Sequence, residues 1–244
     1  MKKIMVEGHR GYCARYPENT LVSYRAAVDA HVDAIEFDVW LSSDKVPVIM
    51  HDGNVSRTTN GTGHLREMTL AEIKELDAGG KFSPAFAGER VPTLRETLEV
   101  ICSDPHICPG VEIKEYTEET VDITIAMLRE FGCLERCFFY CFNARIIRYL
   151  KQRYGVRTMG YPERQMQEFY DGAYDDYDEV GISMSILTPE LAKFFDDLGK
   201  PMHIYCCDTD EAVNTAISYS PKLITANEVA PLIRILDEKG LRAD

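Results

Sequence analysis

Positive charge is scarce in this 244-residue chain: 27 Lys and Arg stand against 40 Asp and Glu, a formal net charge of −13. That balance argues against a nucleic-acid partner, because a phosphate backbone rewards clustered Lys and Arg. It also means that an anionic substrate needs cations gathered locally. No run approaches the roughly 20 apolar residues that span a bilayer, so no transmembrane segment is expected. The opening Met1-Lys2-Lys3-Ile4-Met5-Val6-Glu7 breaks its apolar stretch at Glu7 and predicts no secretory signal. No Gly-x-Gly-x-x-Gly follows a β-type run, which removes support for a dinucleotide site. Internal repeats and low-complexity tracts are missing as well. What is present is ordinary for a globular chain, with 45% hydrophobic and 27% charged residues. Such a composition excludes a mainly disordered protein and supplies a substantial core.

Eight cysteines without a secretory signal predict free thiols in a reducing, cytoplasmic setting. Cys133, Cys137 and Cys141 recur every four residues, as metal ligands on a helix face would. The stretch 137–142 is short and aromatic, however, and reads as a strand on which Cys137, Phe139 and Cys141 share one buried face. Cys206 and Cys207 are read as core residues in the same way.

Short β-type runs alternate with helical segments along the whole chain. The expected strands are 4–9, 34–40, 110–114, 137–142, 156–161, 179–185, 202–207 and 223–227. The expected helices follow them near 20–30, 94–102, 118–131, 144–153, 189–198, 210–218 and 230–239. His31 is expected to close the first helix, since His tolerates the left-handed region better than most residues. A further run at 46–51 lies only one polar turn beyond the second strand, too close for a parallel crossover, so it is expected to fold back as a hairpin. Reflection about Ser42-Ser43-Asp44-Lys45 places Glu36 opposite His51 and Asp38 opposite Ile49. Residues 52–92 are polar and Gly-rich, long for a loop, and are expected to form a small inserted subdomain carrying one helix capped by Thr69 and Glu72. Eight strands with intervening helices point to an α/β fold, a (β/α)8 TIM barrel built as a single domain over 1–244.

In such a barrel the site lies at the C-terminal ends of the strands. Those ends carry His9 and Arg10, Glu36 and Asp38, His51 and Asp52, and Glu112 and Lys114. Each i, i+2 pair projects to one face of its strand. Burying that many charges is costly unless they are paired or bind an ion. Glu36, Asp38 and Glu112, with no thiolate partner, describe a site for a hard divalent cation, Mg2+ or Ca2+. His9 and His51 supply a general base and a general acid near neutral pH. Arg10 and Lys114 supply positive charge for an anion. Together they describe a phosphodiester site. His31, His64, His106 and His203 are read as structural.

The series Gly8-His9-Arg10-Gly11, Pro17-Glu18-Asn19-Thr20, Glu36-Phe37-Asp38, His51-Asp52, Arg57-Thr58-Thr59, Pro92-Thr93-Leu94 and Glu112-Ile113-Lys114 resembles, in order and spacing, the motifs of the glycerophosphodiester phosphodiesterase family. The likeness is dense through the first 115 residues and weaker afterwards. It implies a TIM barrel with a small insertion and a divalent-metal-dependent hydrolase that releases glycerol 3-phosphate and an alcohol. His9 and His51 would then be the acid/base pair, Glu36, Asp38 and Glu112 the metal ligands, and Arg10 and Lys114 the phosphate contacts. The partner expected is a small-molecule phosphodiester; self-association is left open. Two segments depart from the family pattern. A Trp-Thr-Val-Asn-like segment near the seventh strand reads Tyr205-Cys206-Cys207-Asp208 here, and Ile-Thr-Asp near the eighth reads Ile224-Thr225-Ala226-Asn227. Both are expected to shape the alcohol side of the pocket, with Tyr205 binding substrate as a narrower, more polar wall. Two alternatives share these residues: a lysophospholipase D-like or cyclic-phosphodiester hydrolase, and a catalytically inactive barrel that binds a phosphoester.

Overall fold

The computed structural model describes residues 3–243; Met1 and Lys2, where the expectation of no secretory signal begins, lie outside the described residues. Strands and helices alternate as β1 (Met5–Gly8), α1 (Leu21–Asp29), β2 (Ala34–Leu41), β3 (Pro47–Ile49), α2 (Leu70–Lys74), α3 (Leu94–Ile101) and β4 (Cys108–Ile113). The order continues with α4 (Glu118–Glu130), β5 (Phe138–Tyr140), α5 (Ala144–Tyr154), β6 (Thr158–Gly160), β7 (Glu179–Ser183), α6 (Pro189–Asp197), β8 (Met202–Tyr205), α7 (Asp210–Ser218), β9 (Leu223–Ala226) and α8 (Val229–Glu238). Eight strands are hydrogen-bonded in parallel, and β1 closes the ring by pairing with β9 on one side and β2 on the other. This is the expected (β/α)8 barrel.

Local sequence explains the alternation. Thr20, Thr93, Thr117, Thr188 and Thr209 each stand before a helix in an extended conformation and accept a backbone N–H of its first turn. In α3 the buried residues Leu94, Thr97, Leu98 and Ile101 recur at helical spacing, and the apolar ones among them join the main core. His31 takes a left-handed φ of 55° just past α1, as expected. Cys137, Phe139 and Cys141 are all buried in the layer between sheet and helices. No helix among the described residues is long and apolar enough to cross a membrane.

The hairpin is confirmed in kind and corrected in register. β3 pairs antiparallel with β2, Val39 opposite Ile49, and the Met50 N–H donates to the Asp38 carbonyl at 3.0 Å. Asp38 therefore lies across from Met50, not Ile49, and the expected pairing of Glu36 with His51 shifts by the same residue. The reason is the turn. Ser42 and Val46 close it by a backbone hydrogen bond, leaving Ser43, Asp44 and Lys45 inside, with Lys45 left-handed at φ 64°. From β3 to α3 the chain packs Val48, Met50, Val55, Leu65, Ile73, Leu76, Ala78 and Val91 into an apolar cluster of its own. The expected capping box at Thr69 and Glu72 is present at α2.

Polar layers fill the barrel interior. At the bottom Glu179 pairs with His203, Arg157 and Lys222. One layer up, Glu7 accepts from the Tyr140 hydroxyl at 2.6 Å and from Thr225 at 2.7 Å. Gly110 admits this carboxylate, since a Cβ there would lie 2.7 Å from Glu7 Oε1. Above these lie the carboxylates of Glu36, Asp38 and Glu112 on β2 and β4.

Candidate active site

The turn after β1 is tight enough to require glycine twice. A Cβ on Gly8 would meet the Gly11 carbonyl oxygen at 2.5 Å, and Gly11 itself sits at φ +88°. Arg10 between them is also left-handed, at φ 53°. This turn points His9 and Arg10 into a mouth that β2 and β4 supply with carboxylates. Register does the rest: Asp38 is the direct neighbour of Glu112 across the β2–β4 ladder, and Glu36 lies one pleat below. Ligand oxygens of Glu36, Asp38 and Glu112 all fall within 4.8 Å of one another, and all three side chains are buried.

The surrounding cations hold this cluster without saturating it. Arg10 donates its backbone N–H to Glu36 Oε2 at 2.9 Å and brings Nε to 3.4 Å from Asp38. Lys114 Nζ lies 2.6 Å from Glu112 and 3.4 Å from Asp38. Burial opposes charge on Asp38, yet Lys114 and Arg10 outweigh it and keep this carboxyl below the usual range. Burial pushes Glu36 well up, and the neighbouring charges of Asp38 and Glu112 push it further. Burial likewise raises Glu112, against the pull of Lys114. Glu36 Oε1 and Asp38 Oδ1 are buried without a hydrogen-bond partner. Three hard oxygen donors, two of them with an orphaned lone pair, fit a hard divalent cation.

All eight residues expected from the sequence are brought together, and one residue outside the eight departs from expectation. His9, Arg10, Glu36, His51, Glu112, Lys114 and Tyr205 line a single cavity of about 350 Å³, with Asp38 buried beneath it. His9 Nε2 is 4.0 Å from Glu36 Oε2, and burial together with the Arg10 guanidinium pushes the imidazole down to about 4. His51 meets Asp52 through Nδ1 at 2.6 Å. The exception is Asn227. Its segment was expected at the alcohol wall, but its amide oxygen lies 2.7 Å from His9 Nδ1 instead.

Other positioning groups have no role legible from the sequence. Asn19 donates to Asp38 Oδ2 at 2.7 Å and accepts from the Tyr24 hydroxyl at 2.7 Å. Glu18 receives two bonds of 2.8 Å from Arg57 and one of 2.9 Å from Arg10, and Arg57 also grips Asp52. The stretch between β3 and α3, which carries His51, is thereby tied to Glu18 and Arg10 through side chains of the Pro17–Thr20 and Arg57–Thr59 motifs, which was the available signal. The opposite wall is aromatic. Phe142 and Tyr161 stack with centroids 3.7 Å apart, and Tyr205 meets Tyr161 edge-on at 5.8 Å while Gln165 reaches its hydroxyl at 3.4 Å.

Comparison with known proteins places this arrangement. A glycerophosphodiester phosphodiesterase from Caldanaerobacter subterraneus is 40% identical over 156 residues, 62% of this chain and 63% of that protein. Alignments with the first few curated relatives span from 37% to 63% of those proteins' own lengths. Among solved structures, a glycerophosphodiester phosphodiesterase from Agrobacterium tumefaciens is 26% identical with a TM-score of 0.80, covering 96% of this chain and all of that one. A phosphodiesterase from Oleispira antarctica, solved with the product sn-glycerol-3-phosphate, shares the fold at a TM-score of 0.87 and 24% identity, covering 96% of this chain and 97% of that one. The model of the glycerophosphoryl diester phosphodiesterase family matches residues 9–230, and the chain belongs to that family.

Proposed function

We propose that this protein hydrolyses glycerophosphodiesters to glycerol 3-phosphate and an alcohol, with a divalent cation held by Glu36, Asp38 and Glu112. The observation that carries the reading is the orphaned pair of carboxylate oxygens, Glu36 Oε1 and Asp38 Oδ1, at the base of a cavity that also holds both histidines and both cations. When bound, Mg2+ or Ca2+ supplies Lewis-acid neutralisation of phosphoryl oxygen charge. Arg10, whose buried Nε has no hydrogen-bond partner, and Lys114 face the same anion and stabilise charge as it builds in the transition state. One histidine takes the proton of the attacking oxygen as its bond to phosphorus forms. As the bond from phosphorus to the alcohol oxygen breaks, the other histidine gives that oxygen a proton. Asp52 orients His51 for this task, and Arg57 and Glu18 fix Asp52 and Arg10. Tyr205, Tyr161 and Phe142 form the wall that receives the organic part of the substrate.

The test is a panel of glycerophosphodiesters, lysophospholipids and cyclic phosphodiesters, each assayed with Mg2+, with Ca2+ and with excess chelator. Release of glycerol 3-phosphate from the glycerophosphodiesters, abolished by chelator, is the expected result. Undiminished turnover in metal-stripped protein would overturn the metal assignment, and turnover confined to the other two classes would overturn the substrate.

A further inference from the structure

We propose that Asn227, held by Asp208, is a positioning residue that orients His9 and fixes which of its ring nitrogens carries the proton; this rests on the role for His9 proposed above. Asp208 lies just past β8 and accepts three hydrogen bonds. Oδ1 takes the backbone N–H groups of Asn227 at 2.6 Å and Glu228 at 3.0 Å, and Oδ2 takes the Asn227 side-chain N–H at 2.7 Å. That last bond decides which way the amide faces. Turned over, it would set its oxygen against a carboxylate oxygen, two acceptors with no proton between them. Asn227 Oδ1 is therefore the atom that faces His9 Nδ1 at 2.7 Å.

An amide oxygen only accepts, so Nδ1 must be the donor and carry the ring hydrogen. In the neutral ring Nε2 then bears the lone pair, on the side of Glu36 and the cavity. The Cys13 thiol donates to the same amide oxygen at 3.0 Å, a second donor that agrees with an oxygen at this position. Backbone bonds lock the frame: His9 N–H to the Ala226 carbonyl at 3.0 Å, and Ala14 N–H to the Asn227 carbonyl at 3.0 Å. The two histidines are thus held by different chemistry, His51 by a carboxylate and His9 by an amide. Both residues of this relay lie in the segments where the sequence departs from its family's usual pattern. Within the relay Asp208 holds the Asn227 amide, and Asn227 presents its oxygen to His9.

The experiment uses Asp208→Asn. An amide at 208 that keeps accepting the two backbone N–H groups turns its own NH2 toward Asn227. Asn227 then reverses, offers N–H to His9 Nδ1, and drives the ring to its Nε2–H form. Nitrogen-15 long-range correlation spectra of histidine-labelled protein, in Mg2+ and at mildly alkaline pH, report the tautomer directly. A His9→Gln variant assigns the signals. The expected result is Nδ1–H in the wild type and Nε2–H in Asp208→Asn, with kcat lower by about 10–100-fold and KM changed less than about twofold. An Nε2–H ring in the wild type overturns the proposal whatever the variant does. So does a variant that keeps Nδ1–H, or one that switches tautomer at full kcat. If the tautomers behave as expected while no glycerophosphodiester is hydrolysed, the orienting role is upheld and the proposed reaction is what fails.

Discussion

Replacing Glu36 by Gln should make the metal-free protein more stable and the metal-loaded protein less responsive to its ion. The side chain is buried beside two other carboxylates whose ligand oxygens lie within 4.8 Å. An ionised Glu36 is repelled by about 3.5 kcal/mol at that separation for an effective dielectric near 20, and the proton uptake that its raised pKa brings relieves part of that. Attraction to Arg10 offsets part of this, and Gln keeps an oxygen for the Arg10 backbone N–H. A net gain of about 1–2 kcal/mol is left, which for a chain of this size is a rise in Tm of about 2–8 °C in chelator. Wild-type protein should respond to cation in the opposite sense from this handicap. At a concentration 100 times Kd, binding adds about 2.7 kcal/mol, or about 5–11 °C, and Glu36→Gln should lose most of that increment. Calorimetric melts of both proteins in EDTA and across a Mg2+ titration measure both quantities. A variant that melts lower than wild type in EDTA, and still gains the full increment from Mg2+, would show that these carboxylates are not held apart by repulsion and do not share an ion.

Ala at His9 or His51 should each lower kcat by about 10²–10⁴-fold, with a bell-shaped pH–rate profile in the wild type that loses one limb in each variant; near-wild-type kcat on a substrate with a poor leaving group would refute the pair. Tyr205→Ala should raise KM more than it lowers kcat when measured on two substrates that differ only in the alcohol, whereas an unchanged KM with a lower Tm would make Tyr205 a packing residue. The barrel floor predicts acid sensitivity. Burial resists charge on Glu179, but His203 and the flanking Lys222 and Arg157 bring its carboxyl down to about 2. A carboxyl depressed in the folded state stabilises fully above its unfolded value near 4.5 and loses that contribution as pH falls toward 2, here roughly 3 kcal/mol. Urea midpoints should therefore drop between about pH 4.5 and 2 in the wild type and flatten over that window in Glu179→Gln.

The acidic cluster was legible because charges at i and i+2 on a strand enclosed by helices are too costly to bury unless they pair or hold an ion. Glu36, Asp38, Glu112 and Lys114 declare themselves by that cost. The hairpin register was not, since nothing in Ser42-Ser43-Asp44-Lys45 marks Lys45 as left-handed, and one residue more or less in a turn moves every pairing beyond it. Asn19 stands just before Thr20, the cap of α1, and its bond to Asp38 depends on a residue 19 positions away on β2. Asn227 is harder still. Its partner His9 is 218 positions distant and is met only when the first and last barrel strands close. Phe142 and Tyr161 read as apolar strand ends, and a barrel strand buried on both faces leaves no alternation from which to tell the cavity side from the helix side.

The distribution of the site around the ring has a bearing on how such a protein can change. Every charged group in the mouth comes from the first 114 residues, on β1, β2, the hairpin and the end of β4, while Phe142, Tyr161 and Tyr205 come from the opposite arc. If the proposed roles hold, bond-breaking and choice of alcohol reside in separate halves of one circle. Loops on the second arc could then be exchanged to admit new leaving groups without disturbing the ionic half. The arcs are not wholly independent, because Asp208 and Asn227 reach across the β9–β1 seam to His9. On those proposed roles, variation on the second arc is free up to β8 and constrained just beyond it, where a change of wall would also turn the His9 ring.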